Sequence, residues 1–268
     1  MESKLKTVLS LCIGALLGGL VCTLYMPQKK REAVGETQRP LAAPLIALEG
    51  DLVALPYEQA GGVLSVPITV EQDSIDHELW MIFDTGATFS TINRETLHKL
   101  GLEVSEQAPI VTLRTANGVT KAPLVILNEV WIGGYWVGPL TVALCEPCAS
   151  SGIAGLLGLN LSSGFLLTLD PLNEEILLQP RGERQIKSEL SHWISLSSTW
   201  GLGGPIVQAH NRSEYPIKNL EVTLSCIPEQ IVRIPLVPPQ QQAEKQALPG
   251  ECSGAKMRVT GGLWGQSE

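Results

Sequence analysis

The chain has 268 residues, enough for one large domain or two modest ones. Its net charge of −8, with 19 Lys and Arg against 27 Asp and Glu and no basic stretch beyond residue 31, argues against a nucleic-acid partner. Four scattered histidines, His77, His98, His192 and His210, lack metal-ligand spacing, so no metal site is expected.

From Thr7 to Gln28 the chain carries no charge and is dominated by Leu, Val, Ile, Gly and Ala, which as a helix is long enough to cross a bilayer. No small-x-small cleavage site follows this apolar core, and Gly19-Leu20-Val21 before Cys22 is a poor lipoprotein box. The expectation is an uncleaved anchor spanning residues 1–31 together with its tail. Lys4 and Lys6 on one side balance Lys29, Lys30 and Arg31 on the other, so charge leaves the orientation open. A short charged tail before a single span is nonetheless the pattern of a signal anchor with its tail in the cytoplasm. Gly14 and Gly18 form a G-x-x-x-G that permits close helix approach in lipid.

Residues 32–50 lack periodicity and read as a linker. Beyond them the pattern is β. Val63 to Val70 and Glu78 to Phe83 are strand-like, joined by the polar stretch Glu71 to His77. Arg94 to Leu100 suits a short helix stopped by Gly101. Ile110 to Thr115 and Val119 to Leu127 flank Asn117-Gly118, a strong hairpin signal. Val130 to Ile132 and Tyr135 to Leu144 pair around Gly133-Gly134, and Phe165 to Leu169 pairs with Glu175 to Leu178 around Asp170-Pro171. Residues 183–200 are polar and irregular, a second linker. Pro205 to Ala209, Leu220 to Ser225, Ile231 to Val237 and Lys256 to Thr260 are strand-like runs that predict a small accessory β-sandwich over residues 201–268.

Six cysteines include four outside the apolar segment: Cys145, Cys148, Cys226 and Cys252. An even number fits an oxidising compartment. Cys226 and Cys252 lie in separate β-like segments and are expected to pair. Cys145-Glu146-Pro147-Cys148 has redox spacing but follows a strand with no helical pattern after it, so a structural loop disulfide is favoured over a thioredoxin-like pair. Asn160-Leu161-Ser162 and Asn211-Arg212-Ser213 match glycosylation acceptors without other support.

Three features occur in a fixed order between residues 51 and 182. The apolar run Leu79 to Phe83 ends in Asp84-Thr85-Gly86-Ala87-Thr88. The hairpin tip Thr115-Ala116-Asn117-Gly118 follows. Then comes Leu156-Leu157-Gly158 with Asn160 just beyond. In this order and spacing the segment resembles the retropepsin-like aspartic proteases, the retroviral protease fold and its bacterial relatives. The resemblance implies an all-β fold, a closed β-barrel-type domain with a flap hairpin. It implies Asp84 as the catalytic aspartate. Thr85 would tie two active-site loops together across a dimer, Gly86 would let backbone approach the scissile peptide, and Thr88 would hydrogen-bond within the loop around Ala87. Thr115, Ala116, Asn117 and Gly118 would tip the flap that closes over substrate. Leu156, Leu157, Gly158 and Asn160 would support the catalytic loop.

Such chemistry needs two carboxylates sharing a proton. No second Asp-Thr-Gly or Asp-Ser-Gly occurs, and Asp170 before Pro171 is a poor substitute. A homodimer is the economical source of the second carboxylate. The expectation is therefore a membrane-anchored aspartic endopeptidase acting on protein or peptide substrate without cofactor or metal. The signal-anchor pattern and the even cysteine count place both β domains outside the cytoplasm, and for a relative of the bacterial members this means a bacterial inner membrane, single-pass, with both β domains in the periplasm. The rival is a catalytically silent envelope protein that uses the fold for binding or scaffolding; an intact Asp-Thr-Gly favours the enzyme.

Overall fold

The computed structural model describes residues 52–115, 118–148, 152–181, 186–250, 252 and 256–265. The apolar stretch Thr7 to Gln28 and the first linker lie outside the described residues. No helix among the described residues is long and apolar enough to cross a membrane. Residues 49–268 form one compact unit.

In chain order the strands of the first half are β1 (Val53–Pro56), β2 (Glu58–Ala60), β3 (Val63–Gln72), β4 (Ile75–Phe83), β5 (Ser90–Ile92), β6 (Ile110–Thr115), β7 (Gly118–Ile132), β8 (Tyr135–Leu144), β9 (Gly155–Leu157), β10 (Phe165–Asp170) and β11 (Glu175–Pro180). Two short helices, α1 (Arg94–Lys99) and α2 (Leu159–Ser162), interrupt them. The main sheet runs β2-β3-β4-β9-β5-β8-β7-β6, and a further β3–β7 pairing closes it into a barrel. Alternation places Val66, Ile68 and Val70 of β3 inside, where they meet Met81, Leu127, Val130, Leu140 and Val142 in the first core. A separate three-stranded sheet, β1-β11-β10, packs Val53, Leu55, Ile176 and Leu178 onto that core.

β3 and β4 are longer than their hydrophobic pattern suggests. Gln72 pairs with Ile75, leaving a two-residue turn at Asp73-Ser74 with φ of 52° and 61°. Both residues sit in the left-handed region that two-residue hairpins demand, and Asp-Ser is a weaker signal for it than Asn-Gly. β7 is one strand where two were expected, because an irregularity between Leu127 and Val130 is absorbed without breaking pairing to β8. α1 begins at Asn93, whose side-chain oxygen accepts from the Thr96 N–H at 2.8 Å, and it stops before Gly101 at φ +68°.

The second half departs from the expected boundaries. The stretch 183–200, read as a linker, contains α3 (Lys187–Trp193) and most of β12 (Ile194–Gly201). After them come β13 (Gly204–Asn211), β14 (Ile217–Leu224), β15 (Gln230–Val237), β16 (Gln242–Gln246) and β17 (Met257–Trp264). They form two sheets, β12-β13-β16 and β15-β14-β17. Val207, Ala209, Leu220, Val222, Val232 and Ile234 share the core between them, with Leu190 of α3 included. The β-sandwich thus starts at Ile186, earlier than the expected 201, because Ile186, Leu190 and Ile194 belong to its core.

Two disulfides close loops, Cys145–Cys148 and Cys226–Cys252. The second has a sequence separation of 26, and loop-closure entropy gives it a contribution of about 3–4 kcal/mol. Both glycosylation-type asparagines are buried, Asn160 at 4% and Asn211 at 0% exposure, so neither is available as an acceptor in the folded chain.

Trp193 of α3 is buried against Val111, Ala122, Leu124, Ile126 and Ala143 of the barrel, in a cluster bordered by Tyr215 and Trp264. The sandwich and barrel are therefore joined by a third small core. Tyr215 extends the junction by donating its hydroxyl to Asn128 Oδ1. Burial, together with Glu214 and Glu129, pushes the Tyr215 phenol up to about 12, so it remains a donor through the physiological range.

Candidate active site

β4 delivers Asp84 out of the barrel. β9 lies between β4 and β5, parallel to the first through Met81↔Gly155 and Phe83↔Leu157, and antiparallel to the second through Thr91↔Leu156. Asp84 donates its backbone N–H to the Leu157 carbonyl at 3.0 Å. Leu159 and Asn160 donate theirs to the carbonyls of Ala87 and Thr88 at 2.8 and 3.2 Å. The loop 84–89 thus rests on the backbone of the β9–α2 segment, with Leu157 and Gly158 directly below it.

The threading leaves no room for side chains at two glycines. A Cβ on Gly155 would stand 1.9 Å from the Thr91 carbonyl oxygen, and one on Gly158 would stand 2.6 Å from the Phe89 carbonyl carbon. Gly86 has a different role. Its N–H donates to Asp84 Oδ1 at 2.8 Å, which fixes one carboxylate oxygen. Asp84 is half-buried, whereas Thr85, Gly86 and Thr88 are exposed.

Beneath the loop lies a buried polar chain. Asn160 Oδ1 accepts from the Ser90 N–H at 2.7 Å and from the Ser90 hydroxyl at 2.9 Å. The Ser90 hydroxyl oxygen in turn accepts from the Gly158 N–H at 3.0 Å. Asn160 Nδ2 donates to the Thr141 carbonyl at 2.8 Å. Thr141 is held from the other side by α3: its N–H donates to Glu189 Oε2 at 2.8 Å, and Trp193 Nε1 donates to its hydroxyl oxygen at 3.2 Å. Ser90, Thr141 and Glu189 are fully buried. Asn160→Ala should leave the Ser90 N–H and the Thr141 carbonyl without this partner and cost about 2–4 kcal/mol, read from the denaturant midpoint.

Asp84, Ala87 and Thr88 open onto a cleft of about 680 Å³ whose opposite side is the β6 strand from Ile110 to Thr115. β6 and β7 pair to the end of the hairpin at Thr115↔Gly118, and the Thr115 hydroxyl donates to the Gly118 carbonyl at 3.1 Å. Gly118 has φ +119°, a conformation suited to glycine. The tip residues Ala116 and Asn117 lie outside the described residues. Leu156 and Cys148 also line the cleft, while Cys226 and Cys252 lie in the second core. Among the described residues lining the cleft, Asp84 is the one carboxylate. Among the described residues no group of three or more His, Cys, Asp or Glu is placed to hold a metal ion.

Sequence reading did not anticipate His192, Phe89, Arg114, Thr141 or Glu189 at this site. His192 comes from α3, lines the cleft, and packs its ring edge-on to Phe89 with centroids 5.3 Å apart. Burial, helped by the Arg212 charge, holds the His192 imidazole below its usual value. Both effects favour the uncharged ring.

Residues 66–161 match a family model described as aspartyl protease. The three motifs read from the sequence all fall inside that segment. Among solved structures, a retropepsin-like aspartic protease from Rickettsia conorii is similar at 20% identity, covering 49% of this chain and 94% of its own, with a TM-score of 0.36. No curated protein matches the chain.

Proposed function

We propose that this chain, aspartyl protease-like over residues 66–161, is a retropepsin-like endopeptidase whose working site pairs Asp84 with the same residue of a second copy. The observation that carries the reading is the Asp84 loop, seated on β9 and facing a cleft walled by a hairpin strand, with one carboxylate among its described lining residues. One carboxylate cannot serve as both the base that takes a proton from water and the acid that gives one to the carbonyl. The exposed Thr85, Gly86 and Thr88 leave the loop face open to a partner loop. Two such loops about a two-fold axis supply both groups.

In that arrangement the two carboxylates hold one proton between them, because like charges in contact cannot both remain ionised. A water between them loses a proton to the ionised carboxylate as its oxygen attacks the peptide carbonyl carbon. The shared proton passes to the carbonyl oxygen, giving a neutral tetrahedral diol. As the diol collapses and the C–N bond breaks, the carboxyl that took the water's proton gives it to the departing nitrogen, and one diol hydroxyl returns its proton to the other carboxylate, restoring the shared proton. Gly86 N–H, already bonded to Asp84 Oδ1, keeps that oxygen in place through the cycle. The β6–β7 hairpin closes over the peptide and excludes bulk water. Activity is expected to follow a bell-shaped pH profile on the acid side of neutral, whose limbs belong to the pair.

Anchoring by Thr7 to Gln28 would hold both copies in one membrane and raise their effective concentration. The four cysteines outside that segment and the two disulfides they form fit an exported location for the β domains. The experiment is incubation of the purified full chain with a mixed peptide library, followed by mass spectrometry of products. New termini at internal peptide bonds support the endopeptidase. Intact peptides across pH 3–8 would leave the binding or scaffold protein as the better account.

A further inference from the structure

We infer that His192, carried into the cleft by α3 of the β-sandwich, forms with Phe89 a side-chain-binding wall that selects an aromatic or large aliphatic residue of a peptide substrate. The inference rests on the peptidase reading of the cleft and adds to it a role for the sandwich in specificity.

His192 is not a loose surface residue that happens to lie near the site. Its helix is fixed on the barrel at three points: Trp193 is buried in the third core, Trp193 Nε1 donates to the Thr141 hydroxyl at 3.2 Å, and Glu189 accepts the Thr141 N–H at 2.8 Å; within the sandwich, Arg212 donates to the His192 carbonyl. The ring is fixed in turn by its edge-on contact with Phe89, at an interplanar angle of 66°. Phe89 is 8% exposed and ends the loop that begins at Asp84, so any shift of this wall moves with the catalytic loop. Val111 and Leu113 of the hairpin strand line the same cleft; Val111 belongs to the cluster around Trp193 and Leu113 packs against it. At this end the cleft is therefore aromatic and aliphatic on both sides. An apolar side chain placed there loses contact with water and meets ring faces and methyl groups. A charged side chain would give up hydration for an imidazole ring and a phenyl ring.

The test uses the purified full chain and a set of peptides that differ at one position at a time, comparing kcat/KM for Phe with that for Ala at each position. Wild-type protein should discriminate by about 10- to 100-fold at one position. His192→Ala should cut that ratio about tenfold at that position alone, and His192→Phe, which keeps an aromatic wall, should retain most of it. The same peptides are measured by fluorescence anisotropy for binding to Asp84→Asn protein with and without His192→Ala. If wild-type protein cleaves none of the peptides, the peptidase reading fails, and the wall is judged by the binding ratios alone. Unchanged discrimination in His192→Ala at every position, in cleavage or in binding, would overturn the inference; so would loss of discrimination in His192→Phe equal to that in His192→Ala.

Discussion

Asp84→Asn is expected to lower peptide cleavage by about 10³-fold or more, since under the proposed mechanism it removes the group that takes the proton from water. The substitution is nearly isosteric. Asn Oδ1 can still accept the Gly86 N–H that Asp84 accepts at 2.8 Å, and the backbone bond from residue 84 to the Leu157 carbonyl does not involve the side chain. The unfolding midpoint should therefore stay within about 0.5 kcal/mol of wild type, as for a substitution that creates neither cavity nor clash. Separating the two readouts matters. Loss of cleavage with an unchanged midpoint assigns Asp84 to chemistry, whereas parallel loss of both would make it a structural turn residue. Full activity in Asp84→Asn would remove it from the mechanism and revive the binding-protein alternative.

Gly155→Ala should have the largest effect on stability. Its Cβ would lie 1.9 Å from the Thr91 carbonyl oxygen and 2.7 Å from the Thr91 carbonyl carbon. Both are backbone atoms of β5, so no side chain can turn aside; β9 has to leave its place between β4 and β5. Overpacking of this kind costs about 3 kcal/mol or more, a large fraction of the stability of a typical domain. The expected result is a fall in denaturant midpoint at unchanged slope, with cleavage lost as the Asp84 loop loses its seat on β9. Gly86→Ala makes the contrast. Its Cβ would approach Asp84 Oδ1 at 3.1 Å in an exposed loop, which should disturb activity while leaving the midpoint near wild type. If Gly155→Ala kept both midpoint and activity, the tight threading of β9 would be wrong.

The barrel and its Asp84 loop were legible because their signals are local. An apolar run ending in Asp84-Thr85-Gly86 announces a strand leaving the core, and Asn117-Gly118 announces a hairpin whatever surrounds it. The sandwich was half legible. β13 alternates buried and half-buried positions along its length, a pattern that period-2 reading finds. β12, with Ser195, Ser197, Ser198 and Thr199, and β16, with Gln242, Glu244 and Lys245, are edge strands with most side chains exposed, so they carry little hydrophobic signal. α3 did leave a trace. Ile186, Leu190 and Trp193 recur at helical spacing, and all three are buried. The polar residues between them, and the Gly and Arg just before, masked that stripe as linker. The site residues it brings had no local signal at all. Glu189 meets Thr141 and His192 meets Phe89 only because a third core holds α3 against the barrel. Such contacts are set by tertiary packing, not by any spacing along the chain.

The most direct test of the paired-aspartate site is a subunit-mixing titration. Wild-type and Asp84→Asn chains are combined in varying ratio at constant total concentration, allowed to exchange subunits, and assayed on one cleavable peptide. With one Asp84 from each of two copies in every working site, mixed dimers lack a carboxylate. Activity should then fall as the square of the wild-type fraction, to about a quarter at equal mixing. A fall in direct proportion, to about a half at equal mixing, would mean that each chain works alone and would contradict the shared site.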